Sequence, residues 1–191
     1  MKFAIRPASN DDIEELIQLS LLAWAPVFIS FEQVLGSKIY SLLYPDWQKQ
    51  QSEVVKHFCK DDEKTIVWVA ELEGIIAGFI AYTLNIEDKS GEVELLAVHP
   101  EYQNRGIGTQ LNKFVLAKMK ENGIKLAVVG TGGDTGHAPA RTTYEKAGYT
   151  PCLWFVIIKL CNSRYPSGTH TFDGNSDQCM SQFLCINNVG F

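Results

Sequence analysis

The sequence predicts a single α/β domain, and three observations predict it. Short runs rich in β-branched and aromatic residues alternate along the chain with amphipathic stretches of helical period. Glycines punctuate the alternation, at Gly74, Gly91, Gly123 and Gly148. With 191 residues and 46% apolar content, the chain can bury one sizeable core.

The elements follow in order. Residues 3–6 are a short strand, after which Ser9, Asn10, Asp11 and Asp12 supply a cap and first-turn acids to a helix carrying Ile13, Leu16, Ile17 and Trp24. A second helical region spans residues 31–58, interrupted at Pro45. Residues 65–71 and 75–84 are β-rich and joined by the hairpin signal Leu72-Glu73-Gly74. Ser90-Gly91 precedes a strand over 92–98. The helix starting near Gly106 puts Ile107, Leu111, Phe114, Val115 and Met119 on one stripe, and Asn122-Gly123 stops it. A strand over 125–129, a short helix over 139–146 and a last strand over 151–160 complete the domain, which is assigned residues 1–161. Residues 162–191 lose Glu and Lys, gain Ser, Asn, Gly and Thr, and sustain no period. They read as a poorly ordered C-terminal appendage without function; a strand over 182–186 docking on the sheet is only weakly supported.

Charge narrows the partners. A net charge of −5 without any Lys/Arg-rich run argues against nucleic acid and against an anionic membrane, and favours a small cationic or neutral ligand. The N-terminal MKFAIRPASNDD has no apolar signal region, and no run approaches the ~20 apolar residues that span a bilayer, so a cytoplasmic location is expected. Cys59, Cys152, Cys161, Cys179 and Cys185 form no C-x-x-C pair and no metal-spaced cluster with histidine, so they read as reduced thiols, and no metal is expected.

The chemistry concentrates at VHPEYQNRGIGTQL, residues 98–111, between an apolar strand and an amphipathic helix. Gly106 and Gly108 remove side chains where the chain turns into the helix, leaving backbone N–H groups at its positive end for an anion. Gln103 and Arg105 add polar and cationic contacts. A dinucleotide fingerprint fits poorly, because position 111 is Leu and seven residues separate Val98 from Gly106. A P-loop fails because no Gly is followed by Lys and then Ser or Thr. The spacing Gln103-x-x-Gly106-x-Gly108 after Val98-His99-Pro100 resembles the acetyl-CoA pyrophosphate loop of the GNAT superfamily of N-acetyltransferases. A second block, TGGDTGHAPARTTYEKAGY over 131–149, resembles the family's final helix region through Ala140, Tyr144, Glu145, Lys146, Gly148 and Tyr149. One departure is His137, where the family often has Asn.

The resemblance, from about residue 3 to residue 160, implies the GNAT fold, a mixed, mostly antiparallel central sheet flanked by helices. It implies acetyl-CoA as co-substrate and direct attack of an amine on the thioester in a ternary complex. The cofactor residues it implies are Leu96, Ala97, Val98, Gln103, Asn104, Arg105, Gly106, Ile107, Gly108, Thr109, Ala140 and Tyr144, with Val98 as the backbone donor to the thioester oxygen. Tyr144 stands where the family commonly places the acid that protonates the thiolate, although a packed aromatic is the plain alternative. For the base, Glu92 and Glu94 share a strand face by the two-residue period and are otherwise solvated acids. His137 is a rival for that role and otherwise a helix cap. Trp24, Phe28 and Phe31 fall where the family forms one wall of the acceptor cleft; they, like Tyr40, Tyr44 and Trp47, are otherwise core aromatics. The expected partner is a small-molecule or peptide amine acceptor, with homodimerisation left open. The competing function is a non-catalytic acyl-CoA-binding sensor.

Overall fold

The computed structural model describes residues 3–60, 65–153 and 182–186. Its strands are β1 (Ala4–Pro7), β2 (Thr65–Leu72), β3 (Ile75–Asn85), β4 (Ser90–Val98), β5 (Leu126–Thr131), β6 (Thr150–Leu153) and β7 (Gln182–Ile186). Its helices are α1 (Ile13–Leu43), α2 (Trp47–Cys59), α3 (Ile107–Glu121) and α4 (Ala138–Ala147). The strands form one sheet in the order β1-β2-β3-β4-β5-β7-β6. Only β4 and β5 pair in parallel; every other neighbouring pair is antiparallel. The mixed, mostly antiparallel sheet expected from the sequence is therefore present.

The sheet separates two apolar layers. On one face α3 and α4 bury Ile107, Leu111, Val115, Met119 and Tyr144 against Ile80, Tyr82 and Val93. On the other, α1 and α2 bury Leu16, Ile17, Leu19 and Val55 against Val69, Phe79, Leu95 and Ala97. Alternation along β3, where Phe79 and Ala81 face one layer and Ile80 and Tyr82 the other, is what a strand buried on both faces requires. The β2–β3 hairpin turns through Glu73 and Gly74, both at positive φ (52° and 83°), as the two-residue loop demands.

Three departures from the sequence reading have physical causes. First, α1 does not stop near Trp24. It continues through Pro26 to Leu43 and kinks at Gly36, whose φ of 74° is non-helical. Proline removes the N–H that would bond the Leu22 carbonyl, and this side of the helix is exposed, so water can satisfy that carbonyl. Second, residues 10–43 are long and apolar enough, by length and composition, to cross a membrane, contrary to the expectation of no such run. Residues 16–31 carry no charge; Leu16, Ile17 and Leu19 pack on the sheet, while Val27 and Phe28 are buried against the 132–137 loop and Trp47. Third, five residues assigned to the poorly ordered appendage form β7, which lies between β5 and β6, so the sheet extends past residue 161. The expected strand over 151–160 is β6, Thr150–Leu153; residues 154–160 lie outside the described residues. Cys161 and Cys179 do as well, and Cys59 is a free thiol.

Candidate active site

β4 and β5 are paired only from Ser90↔Leu126 to Val93↔Val129. Beyond that, β4 runs on to Val98 and β5 to Thr131 with no pairing between them, so the sheet opens into a gap at their C-terminal ends. A bulge on β4 starts the divergence, because Ala81 pairs Leu95 while Tyr82 pairs Val93, leaving Glu94 extra. The bulge moves the following side chains to the other layer: Val93 packs with α3, whereas Leu95 and Ala97 pack with α1.

Backbone direction at the gap follows from one bond. His99 N donates to Ala77 O at 2.9 Å, so His99 points toward β3. By alternation, Val98 and Leu96 turn their N–H and C=O groups toward the gap, while their side chains lie on the α3 side. The Val98 carbonyl accepts a 3.0 Å bond from Gln103 Nε2. Gln103 thus fastens the following loop to β4 instead of standing free for a ligand.

That loop turns through Asn104 (φ 60°) and Gly106 (φ 81°) into α3. Gly106, Asn104 and Arg105 are exposed, and Arg105 sits 5.4 Å over the Tyr102 ring without an acidic partner among the described residues. The first N–H groups of α3, including those of Ile107, Gly108 and Thr109, have no intrahelical acceptor and add to the positive end of a 15-residue helix. Gly108 is buried for a further reason: a Cβ there would lie 3.0 Å from Thr143 Cγ2, so the glycine also lets α4 approach α3. On α4, Ala140 and Tyr144 pack in the same apolar layer. Tyr144 is 5% exposed, its ring 5.6 Å from that of Tyr149 in a T-shaped contact, and burial pushes its phenol well above the usual range.

The α1–α2 face of the sheet is acidic before the gap, at Glu92 and Glu94, and aromatic beside it. Glu94 Oε1 accepts from Thr83 Oγ1 at 3.0 Å; burial raises its carboxyl, partly offset by Thr83 and by the charge of His57. Glu92 is pushed up to about 7, by burial first and by Glu94 second. Thr83 follows Tyr82 in alternation and so faces the α1–α2 layer, which puts both carboxyls on that side, as the strand period predicts. Above the gap, Trp24 and Phe31 of α1 meet the His137 ring at 6.1 and 5.5 Å. Phe28 is 6% exposed and stacks on Trp47 at 4.3 Å, so it backs the wall while Trp24 and Phe31 remain half-buried at its surface. Tyr44 stacks on Phe31 at 5.4 Å, and Tyr40 lies 5.6 Å from Tyr44. His137 occupies the N-cap position of α4 by backbone, yet its side chain makes no cap bond. It binds Asp134 instead, a residue the sequence reading did not single out.

A family model described as Acetyltransferase (GNAT) family matches residues 36–149. The chain belongs to this family. A mycothiol acetyltransferase of Streptomyces griseus is 31% identical over 97 residues, 47% of this chain and 31% of that protein. The chain therefore spans under a third of the length of that curated relative. Among solved structures, PaiA N-acetyltransferase from Thermoplasma acidophilum in complex with coenzyme A superposes with a TM-score of 0.62 at 17% identity, covering 98% of this chain and 99% of that one. A GNAT family acetyltransferase from Elizabethkingia anophelis with acetyl-CoA bound gives 0.61 at 20%, covering 97% of each. The GNAT fold expected from the sequence is thereby confirmed.

The GNAT site fits acetyl-CoA as co-substrate. Its gap exposes the β4 backbone of Leu96 and Val98, and at one end stand the α3 N-terminus and Arg105, suited to a pyrophosphate. Thr131 Oγ1, at the end of β5, is a buried hydroxyl with no partner among the described residues.

Proposed function

We propose that this protein is an acetyl-CoA-dependent N-acetyltransferase that transfers the acetyl group to a primary amine by direct attack in a ternary complex. The observation carrying this reading is the β4–β5 gap, with an anion-binding helix end on the α3 side and an aromatic wall on the α1 side. Such a gap lets two substrates meet from opposite layers of the sheet.

Bound there, acetyl-CoA supplies the acetyl group and a thiolate leaving group. In this reading Val98 N–H, aimed into the gap, donates to the thioester oxygen as negative charge develops on it. Arg105 and the amides of Gly106, Ile107, Gly108 and Thr109 hold the pyrophosphate, with Asn104 shaping the turn and Gln103 bracing it. Leu96, Ala97 and Ala140 flank the pantetheine arm. Tyr144 keeps its proton at neutral pH and offers it to the thiolate as a hydrogen bond. Trp24 and Phe31 face the acceptor, with Phe28 behind them. Glu92, Glu94 and His137 all stand on the acceptor side, so the proton leaves the amine in that direction. Direct attack needs no nucleophile from the protein, and Cys59 offers none at neutral pH, because burial pushes its thiol up to about 11.

The test is to incubate the protein with acetyl-CoA and a panel of primary amines and follow free thiol. Amine-dependent thiol release is expected. Tight acetyl-CoA binding with no release across a broad panel would instead establish the acyl-CoA sensor.

A further inference from the structure

We infer that His137, held by Asp134, is the group that takes the proton from the acceptor ammonium, and that Asp134 is its positioning residue. The inference rests on the N-acetyltransferase reading and assigns the one role that reading leaves without an owner.

The pair sits in the loop between β5 and α4, at the C-terminal edge of the sheet where the gap opens. His137 Nδ1 and Asp134 Oδ1 are 2.5 Å apart, and their side chains are 11% and 4% exposed. Gly132 lies directly beneath: a Cβ there would collide with both His137 Nδ1 and Asp134 Oδ1. Asp134 Oδ2 accepts from Gly136 N at 2.9 Å, Gly136 N also reaches Ser30 Oγ at 3.1 Å, and Arg141 Nη1 donates to the carbonyls of Gly132 and Asp134 at 2.6 and 2.7 Å. Burial pushes the Asp134 carboxyl up, but Ser30, His137 and the Gly136 amide outweigh it and hold it below its usual range. An ionised Asp134 has only acceptor atoms, so Nδ1 carries a proton, and in the neutral form of the ring this tautomer leaves the lone pair on Nε2. Among the described residues His137 makes no other hydrogen bond, and the ring is flanked by Trp24 and Phe31 of the acceptor wall.

Distance along the strand counts against the carboxyls. Glu92 and Glu94 lie six and four residues before Val98, which at about 3.3 Å per residue is roughly 20 and 13 Å along the strand, and Glu94 is bonded to Thr83. Either carboxyl could reach an amine near Val98 only through intervening water.

The step balances. His137 Nε2 accepts one proton from R–NH₃⁺, giving R–NH₂ and an imidazolium whose charge faces Asp134. The freed lone pair forms the N–C bond, and the C–S bond breaks with its electrons going to sulfur. Nitrogen then sheds a second proton; one of the two protons ends on the thiolate and the other reaches solvent.

The experiment compares benzylamine, protonated at neutral pH, with aniline, already neutral. His137→Phe keeps ring packing and removes both nitrogens. Asp134→Asn keeps an acceptor for Gly136 N but presents an NH₂ to Nδ1, which moves the ring proton to Nε2. Each variant should lower kcat/KM for benzylamine by about 10²–10⁴-fold, the range for a lost general base, and for aniline by less than about tenfold, with acetyl-CoA affinity unchanged. Equal losses on both amines would overturn the inference and leave the N-acetyltransferase reading intact, whereas no transfer to any amine by the unaltered protein would overturn that reading itself. Nitrogen-15 NMR of labelled histidine is independent of turnover: the Nδ1–H tautomer is expected at His137, shifting in Asp134→Asn, and a protonated Nε2 in the unaltered protein at neutral pH would overturn the inference.

Discussion

Gln103 Nε2 donates to the carbonyl of Val98 across 3.0 Å, tying the phosphate loop to the β4 residue whose N–H faces the gap. Under the proposed function, one side chain thereby couples pyrophosphate binding to placement of the thioester. Gln103→Ala removes this tie from an exposed position, where a hydrogen bond contributes about 1 kcal/mol. Acetyl-CoA affinity measured by calorimetry should fall about fivefold and Tm should barely move. Unchanged affinity would show that the loop holds its shape without the bond.

Much of this site was legible in the sequence because its signals are local. Gly106 at φ 81° and Gly148 at φ 108° sit where turn chemistry demands glycine, and α3 starts within one residue of the expected position. The shared face of Glu92 and Glu94 follows from the two-residue period and survives a bulge that the sequence does not show. The bulge at Glu94 sends Leu95 to the opposite layer from Val93, but an extra residue lies on the same side as its neighbour, so both acids stay together. Asp134 was not legible, since nothing within a three-residue spacing in a glycine-rich loop distinguishes a buried partner of His137 from a solvated turn acid. Ser30, which anchors that loop from 106 residues away, could emerge only from the fold. For β7, a five-residue strand in a polar tail carries too little pattern to outweigh its composition.

Glu92 gives a pH-dependent prediction. Its carboxyl is raised in the folded protein to about 7 from 4.5, by burial and then by Glu94, so the native state binds the proton more tightly than the unfolded chain. Ionising Glu92 therefore weakens the fold progressively as pH rises from about 4.5 through about 7, and the full penalty stands above that. Glu92→Gln is expected to raise Tm relative to the unaltered protein at about pH 8 and to leave it equal near pH 4. Thermal melts across this range check it; a gain at low pH that disappears at high pH would show that the acid is not destabilised by burial.

The β7 strand predicts the outcome of shortening the chain. Ending the protein at Cys161 removes the partner of β5 over Ala127–Thr131 and leaves an unpaired edge beside the gap. The composition of the tail alone would predict a tolerated truncation. From the sheet order we expect the opposite, a broadened, lower-temperature transition by calorimetry together with weaker acetyl-CoA binding. A truncated chain that melts as sharply as the full one would show that β7 contributes little to the sheet.

Tyr144 separates packing from chemistry in a single atom. Tyr144→Phe keeps the ring in the α3–α4 layer and its contact with Tyr149 while deleting the hydroxyl, so Tm should hold or rise slightly. Burial raises the phenol well above its ordinary range, whereas a free thiol titrates near ~8.5, so complete proton transfer to the thiolate would run uphill, and under the proposed function Tyr144 contributes a hydrogen bond to developing charge. Losing one such donor costs about 10²–10³-fold in the chemical step. We therefore expect the single-turnover rate to fall by roughly that factor, with acetyl-CoA affinity unchanged. If steady-state kcat stays level while the single-turnover rate falls, a later step such as product release limits turnover in the unaltered protein. An unchanged single-turnover rate would remove Tyr144 from the mechanism and leave it as a core aromatic.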